Sequence, residues 1–135
     1  MALEDLFSKL QLLNLKDVLN SQLGENIPEH AFIDDIGFNR IVLMWDIVKP
    51  THTINLAYEF YNGVLTFKTQ LKIINTKCVI TNNFYFTGTE LKNINTIARF
   101  SANTVRWCIT KGILEFKKTI AELNKAQKRM KKNGK

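Results

Sequence analysis

Cysteine is scarce in this chain. Cys78 and Cys108 stand 30 positions apart, which gives no disulfide framework and makes a reducing, cytoplasmic setting the expectation. Histidine is equally scarce: His30 and His52 fall in a loop and at a strand edge, with no nucleophile in a recognisable motif nearby. No phosphate-binding glycine loop, GxSxG or HExxH is present. His30, His52, Cys78 and Cys108 share no finger or knuckle spacing, and Glu29, His30, Asp34 and Asp35 match no known ligand logic. No catalytic residue, metal or cofactor is therefore expected. Also lacking are an apolar run of the roughly 18 residues a membrane span needs and the basic and apolar regions of a signal peptide.

What is present is globular: 135 residues, 45% of them hydrophobic and nine of them Phe, are enough for one domain with its own core. The net charge of +7 is unevenly placed: residues 1–37 carry −5, residues 38–110 carry +5 and residues 111–135 carry +7. The first 110 residues thus cancel, and the excess belongs to the C-terminal end. Such asymmetry speaks of partners and solubility, not of fold.

The clearest structural signal lies in residues 53–74, two alternating runs joined by Asn62-Gly63. This dipeptide tolerates the positive φ angles of a two-residue hairpin turn. With Tyr61 facing Val64, the pairs Phe60/Leu65, Tyr58/Phe67, Leu56/Thr69 and Ile54/Leu71 share one face. A turn at Pro50-Thr51 adds Ile41, Leu43, Trp45 and Ile47 to that face, and a third at Asn75-Thr76 adds Cys78, Ile80, Phe84 and Phe86. The prediction is a four-stranded antiparallel meander over residues 38–87. A slip of one residue at any turn would invert a strand.

Thr69 and Asn82 fall on the apolar face, either as hydrogen-bonding partners under a covering helix or as the polar floor of a small pocket. The opposite face carries Arg40, Tyr61, Lys68, Lys72 and Tyr85 among neutral polar residues, opposed only by Asp46 and Glu59. One apolar and one polar face is the pattern of an antiparallel sheet open to water on one side.

Flanking segments read as helical. Residues 2–23 carry Leu3, Leu6, Phe7, Leu10, Leu13, Val18, Leu19 and Leu23 at helical spacing, interrupted by Leu12 and Leu15. One kinked helix, or two with Asn14 capping the second, should end at Gly24. Residues 25–37 read as loop, with a possible single turn opened by Pro28. Thr87 and Glu90 form a capping box ahead of a long helix over residues 88–123. Its stripe (Leu91, Ile94, Ala98, Val105, Ile109, Phe116, Ile120, Leu123) is widened by Ile97, Phe100, Trp107 and Leu114, so the first part should be nearly surrounded by core. Gly112 is a plausible break point, and residues 124–135 read as a fraying basic tail.

The run from Ile97 to Gly112 resembles a helix-turn-helix reader, and its end, Ser101 to Gly112, is similar to the second helix of small excisionase-type DNA binders. Ala98 precedes Val105 by only seven residues, which leaves no room for that family's turn and favours one continuous helix. The helix–four-strand–helix order also resembles SecB-like export chaperones in topology, without their Pro-rich segment.

The expectation is a single α+β domain: an N-terminal helical segment, an antiparallel sheet, and a long C-terminal helix packed on one sheet face. Its function reads as a non-catalytic binding module for nucleic acid or nucleoprotein. The candidate contacts are Arg40, Tyr61, Lys68, Lys72 and Tyr85 with Lys125, Lys128, Arg129, Lys131 and Lys132. Cationic tracking plus aromatic stacking suffices for a single strand. The alternative is a protein–protein or self-association module that uses open sheet edges and the Leu-rich N-terminal helix.

Overall fold

The computed structural model describes residues 9–25 and 30–133. The expected helical positions in residues 2–8 and the turn at Pro28 lie outside these, as does Glu29. The elements are α1 (Lys9–Leu23), β1 (Ala31–Asp35), β2 (Arg40–Val48), β3 (His52–Tyr61), β4 (Val64–Ile73), β5 (Val79–Phe86) and α2 (Ile94–Asn133). The five strands form one antiparallel sheet in the order β1-β2-β3-β4-β5.

The meander follows from its turns. Asn62 and Gly63 both take positive φ (52° and 76°), the conformation a tight hairpin needs where its strands twist right-handedly. Tyr61 then faces Val64, and the register carries Tyr58 onto Phe67 and Ile54 onto Leu71. The neighbouring hairpins keep step: Leu43 meets Tyr58, and Phe67 meets Phe84. Every residue of the row Leu43–Tyr58–Phe67 is fully buried, and the Tyr58 and Phe67 rings lie 4.9 Å apart.

The sheet has five strands, not four. Residues 31–35 look like loop because Asp34-Asp35 and Gly37 carry turn chemistry and no alternation of apolar residues. They pair with β2 as an edge strand because a single 3₁₀ turn over Ile36–Phe38, closed by Asn39 in the left-handed region (φ 50°), folds the chain straight back. An edge strand needs only one hydrogen-bonded neighbour, so its own pattern can be weak.

α1 is one unbroken helix, with no second helix capped at Asn14. Its C-terminus is a Schellman closure. Gly24 at φ 72° lets the Glu25 N–H reach the Asn20 carbonyl (2.8 Å) and its own N–H reach that of Ser21 (3.2 Å). The buried face is the expected one in part. Leu19 is completely covered and Leu13, Val18 and Leu23 pack partly against the core, but Leu12 and Leu15, which looked like interruptions, are also completely covered, and Leu10 is 77% exposed. The helix packs against both α2 and β2, so its inner face is set by two surfaces that a one-dimensional stripe does not reveal. Trp45 donates from Nε1 to Asn20 Oδ1 (3.2 Å), and Arg106 donates to the Gln22 carbonyl (3.0 Å), tying α1 to the sheet and to α2.

The Thr87–Glu90 pair does form, with the Glu90 carboxylate accepting the Thr87 N–H at 3.0 Å, but it opens a 3₁₀ turn over Gly88–Lys92. Asn93 then caps α2, accepting the Thr96 N–H at 3.1 Å. α2 runs without a break past Gly112 to Asn133, so residues 124–133 are helix and not a frayed tail. Ile97, Ala98, Ser101, Ala102, Val105 and Cys108 face the sheet and are buried. The flank of Phe100, Trp107 and Leu114, expected in the core, is 40–58% exposed because the sheet and α1 do not cover that side of α2.

Candidate functional site: a basic helix and an open sheet face

On the outer sheet face, the register places Arg40, Lys68 and Glu59 together. Glu59 sits between them, 3.5 Å from Arg40 and 3.3 Å from Lys68, and Arg40 also reaches Asp35 at 3.4 Å. Two of the expected cations are thus spent on one shielded carboxylate. Tyr61 and Tyr85 are exposed at the β3–β4 hairpin end. Lys72 stands opposite Val79, six residues further along β4 than the residue facing Tyr85, a distance of about 20 Å. The five residues share a face without converging on one spot.

Thr69 and Asn82 are cross-strand partners, but α2 covers them unequally. Thr69 is 1% exposed and accepts from the Cys108 thiol (3.9 Å), whose pKa is raised by burial. Asn82 borders a shallow depression with Phe84, Phe100 and Trp107.

Of the acidic loop residues, Asp34 is paired with Lys9 and Asp35 with Arg40, while His30 packs edge-on against Phe32. Among the described residues no group of three His, Cys, Asp or Glu side chains gathers as metal ligands, and no helix is long and apolar enough to cross a membrane.

One titratable group is unusual. His52 is 1% exposed at the start of β3, with Nδ1 2.7 Å from Thr51 Oγ1 and Nε2 buried without a hydrogen-bond partner. Burial, and then the Lys49 ammonium, hold its pKa below the ordinary 6.5. In the unfolded chain His52 takes a proton as pH falls through 6.5, and in the folded chain only at lower pH. Its contribution to stability is therefore intact above that value and is lost below it. The melting temperature should drop between pH 7.5 and pH 5 by more in the parent than in His52→Gln. Equal drops would mean that carboxylates alone set the acid limit.

The strongest grouping is on α2. Lys117, Lys118, Lys125, Lys128 and Arg129 are separated by three-, seven- and eleven-residue steps that keep returning to one side of a helix with 3.6 residues per turn. Gly112 lies close against His52, and residues 113–133 continue α2 for about 30 Å past it, with Phe116 still packed partly against the core. Lys131 and Lys132 continue the helical backbone, their side chains lying outside the described residues. Lys117 and Lys118 escaped the sequence reading because they sit in the apolar part of the helix, ahead of the charge-dense end. On the opposite side run Ile113, Phe116, Ile120, Leu123 and Met130. No family model, curated protein or solved structure matches this chain.

Proposed function

We propose that the protein is a non-catalytic module that binds nucleic acid through the cationic side of α2. The observation that carries this is the alignment of Lys117, Lys118, Lys125, Lys128 and Arg129 along one exposed side of the C-terminal part of a continuous helix. A straight row of cations can follow a phosphate backbone without base-specific contacts, and each phosphate neutralised releases counterions. The outer sheet face supplies less, because Arg40 and Lys68 already share Glu59. Tyr61 and Tyr85 are exposed rings of that face on which a base could stack.

The test is anisotropy of a labelled oligonucleotide across a salt series. Affinity should fall steeply with salt, and Lys118→Gln, Lys125→Gln and Lys128→Gln should each reduce the slope of log K against log salt by about 0.7–0.9. Lys72→Gln should change it little. A slope indifferent to all three helix substitutions would remove the reading.

A further inference from the structure

The two edges of the sheet are unlike. β1 is five residues long and acidic, with Asp34 paired to Lys9 and Asp35 to Arg40. β5 is eight residues long and carries no charge and no proline, two devices by which natural edges are kept from pairing. Apolar surface collects beside it. Val79 is 49% exposed and Tyr85 64%, and Phe100 and Trp107 of α2 border the depression next to Asn82 and Phe84.

One hydrogen bond fixes which backbone groups β5 leaves free. The Ile73 N–H reaches the Cys78 carbonyl (3.3 Å), so in the observed register Ile80, Asn82, Phe84 and Phe86 turn their amides and carbonyls towards β4. Those of Val79, Thr81, Asn83 and Tyr85 face outward.

We infer that a second copy of this chain pairs with that edge, β5 against β5 in antiparallel sense about a two-fold axis at Asn82, joining the two sheets into one. Three observations select this occupant. The axis sets Thr81 opposite Asn83 and Val79 opposite Tyr85 of the other copy, so the four outward-facing residues are the ones that pair. The side chains also match their own reverse order. Ile80 meets Phe84, Cys78 meets Phe86, and Asn82 meets its own image, a primary amide being both donor and acceptor. An axis moved to Thr81 or Asn83 would instead set Asn82 against Ile80 or Phe84.

The third observation is room. α2 packs on β3 and β4, and a two-fold perpendicular to the sheet places the two α2 helices about four strand spacings apart, roughly 19 Å. A helix with its side chains is about 10–12 Å across, so the two do not collide. The depression along Phe84–Phe86, bordered by Thr89, Asn93 and Phe100, is then the seat of Cys78–Ile80 from the other copy. The inference stands apart from nucleic-acid binding, because β5 carries none of the α2 cations.

Sedimentation equilibrium of the nuclease-treated full chain in high salt tests it. The mass should rise from 15.6 kDa towards twice that value with concentration. Thr81→Glu with Asn83→Glu should weaken association about tenfold or more, because the introduced carboxylates face each other across the new pairing. Thr81→Lys with Asn83→Lys should do the same, and both positions are exposed, so each variant stays folded. An equimolar mixture of the two variants should regain the parent's association, since opposite charges then meet. In a Cys78→Ser background, Asn82→Cys should oxidise to a covalent dimer, the α-carbons at the axis lying about 4.5 Å apart. Tyr85→Cys, about 20 Å from its own image, should not.

A monomer at every concentration overturns the inference and leaves β5 to a strand of another protein. So does a dimer indifferent to the paired glutamates, a mixture that stays monomeric, or cross-linking through position 85 in place of 82.

Discussion

Phe67→Ala is expected to destabilise the protein by about 3–5 kcal/mol, the range found when a large aromatic is deleted from a packed core. Phe67 lies in the middle of the row Leu43–Tyr58–Phe67–Phe84 and is wholly buried, with its ring 4.9 Å from that of Tyr58. Strands on both sides are held by ladder hydrogen bonds, and α2 is held above by the Tyr58 hydroxyl donating to Ser101 Oγ (2.8 Å), which in turn donates to the Ile97 carbonyl (2.8 Å). The walls of the resulting cavity are thus anchored and can collapse only partly. Urea unfolding should show a lowered midpoint with an unchanged slope, while Lys68→Ala on the outer face of the same strand stays within about 0.5 kcal/mol of the parent. A loss of under about 1 kcal/mol at Phe67 would mean the register of β3 and β4 is wrong.

Gly112→Ala is expected to destabilise by up to about 2 kcal/mol although it improves helix propensity. Alanine in place of a mid-helix glycine is worth about 1 kcal/mol in the stabilising direction. A Cβ at this position, however, would lie 2.6 Å from His52 Cγ and 2.7 Å from Nδ1. Those atoms sit at the root of a buried ring, so α2 must lift from β3, at a cost of about 1–3 kcal/mol for overpacking or somewhat more where the backbone cannot shift.

The sign depends on the ring, so a double-mutant cycle decides it. In a His52→Ala background the same glycine substitution should stabilise, by about the propensity difference alone. If Gly112→Ala stabilises the parent as well, the close approach of α2 to β3 is not real.

The sheet was legible because its signals are local and mutually consistent. Asn62-Gly63 names its own turn, and once Tyr61 faces Val64 the large apolar residues at alternate positions from Ile41 to Phe86 fall on one side, with Val42, Met44, Val48 and Val79 left on the other. β1 was not legible, since an edge strand such as Ala31–Asp35 is held by its neighbour and needs no alternation of its own. The inner face of α1 was only partly legible for a related reason. Leu12 and Leu15 look like interruptions of a stripe until α2 and β2 are both present, and then they are its centre.

At the C-terminal end the charge density of residues 124–135 suggested fraying, yet the chain stays helical to Asn133.

The residues themselves dictated the hairpin turns, the two-sided sheet, a long C-terminal helix and the concentration of positive charge at one end, though not that this helix runs unbroken past Gly112 to Asn133. Each of these depends on interactions between near neighbours in the chain. Only the folded molecule decided which cations remain free to meet a partner and which apolar residues remain uncovered. Glu59 can quench Arg40 and Lys68 only after three strands bring them side by side, and Ile120 and Leu123 are left exposed while Phe116, on the same side of the helix, packs against the core. Such facts depend on where surfaces end in space, and a linear pattern carries no record of that.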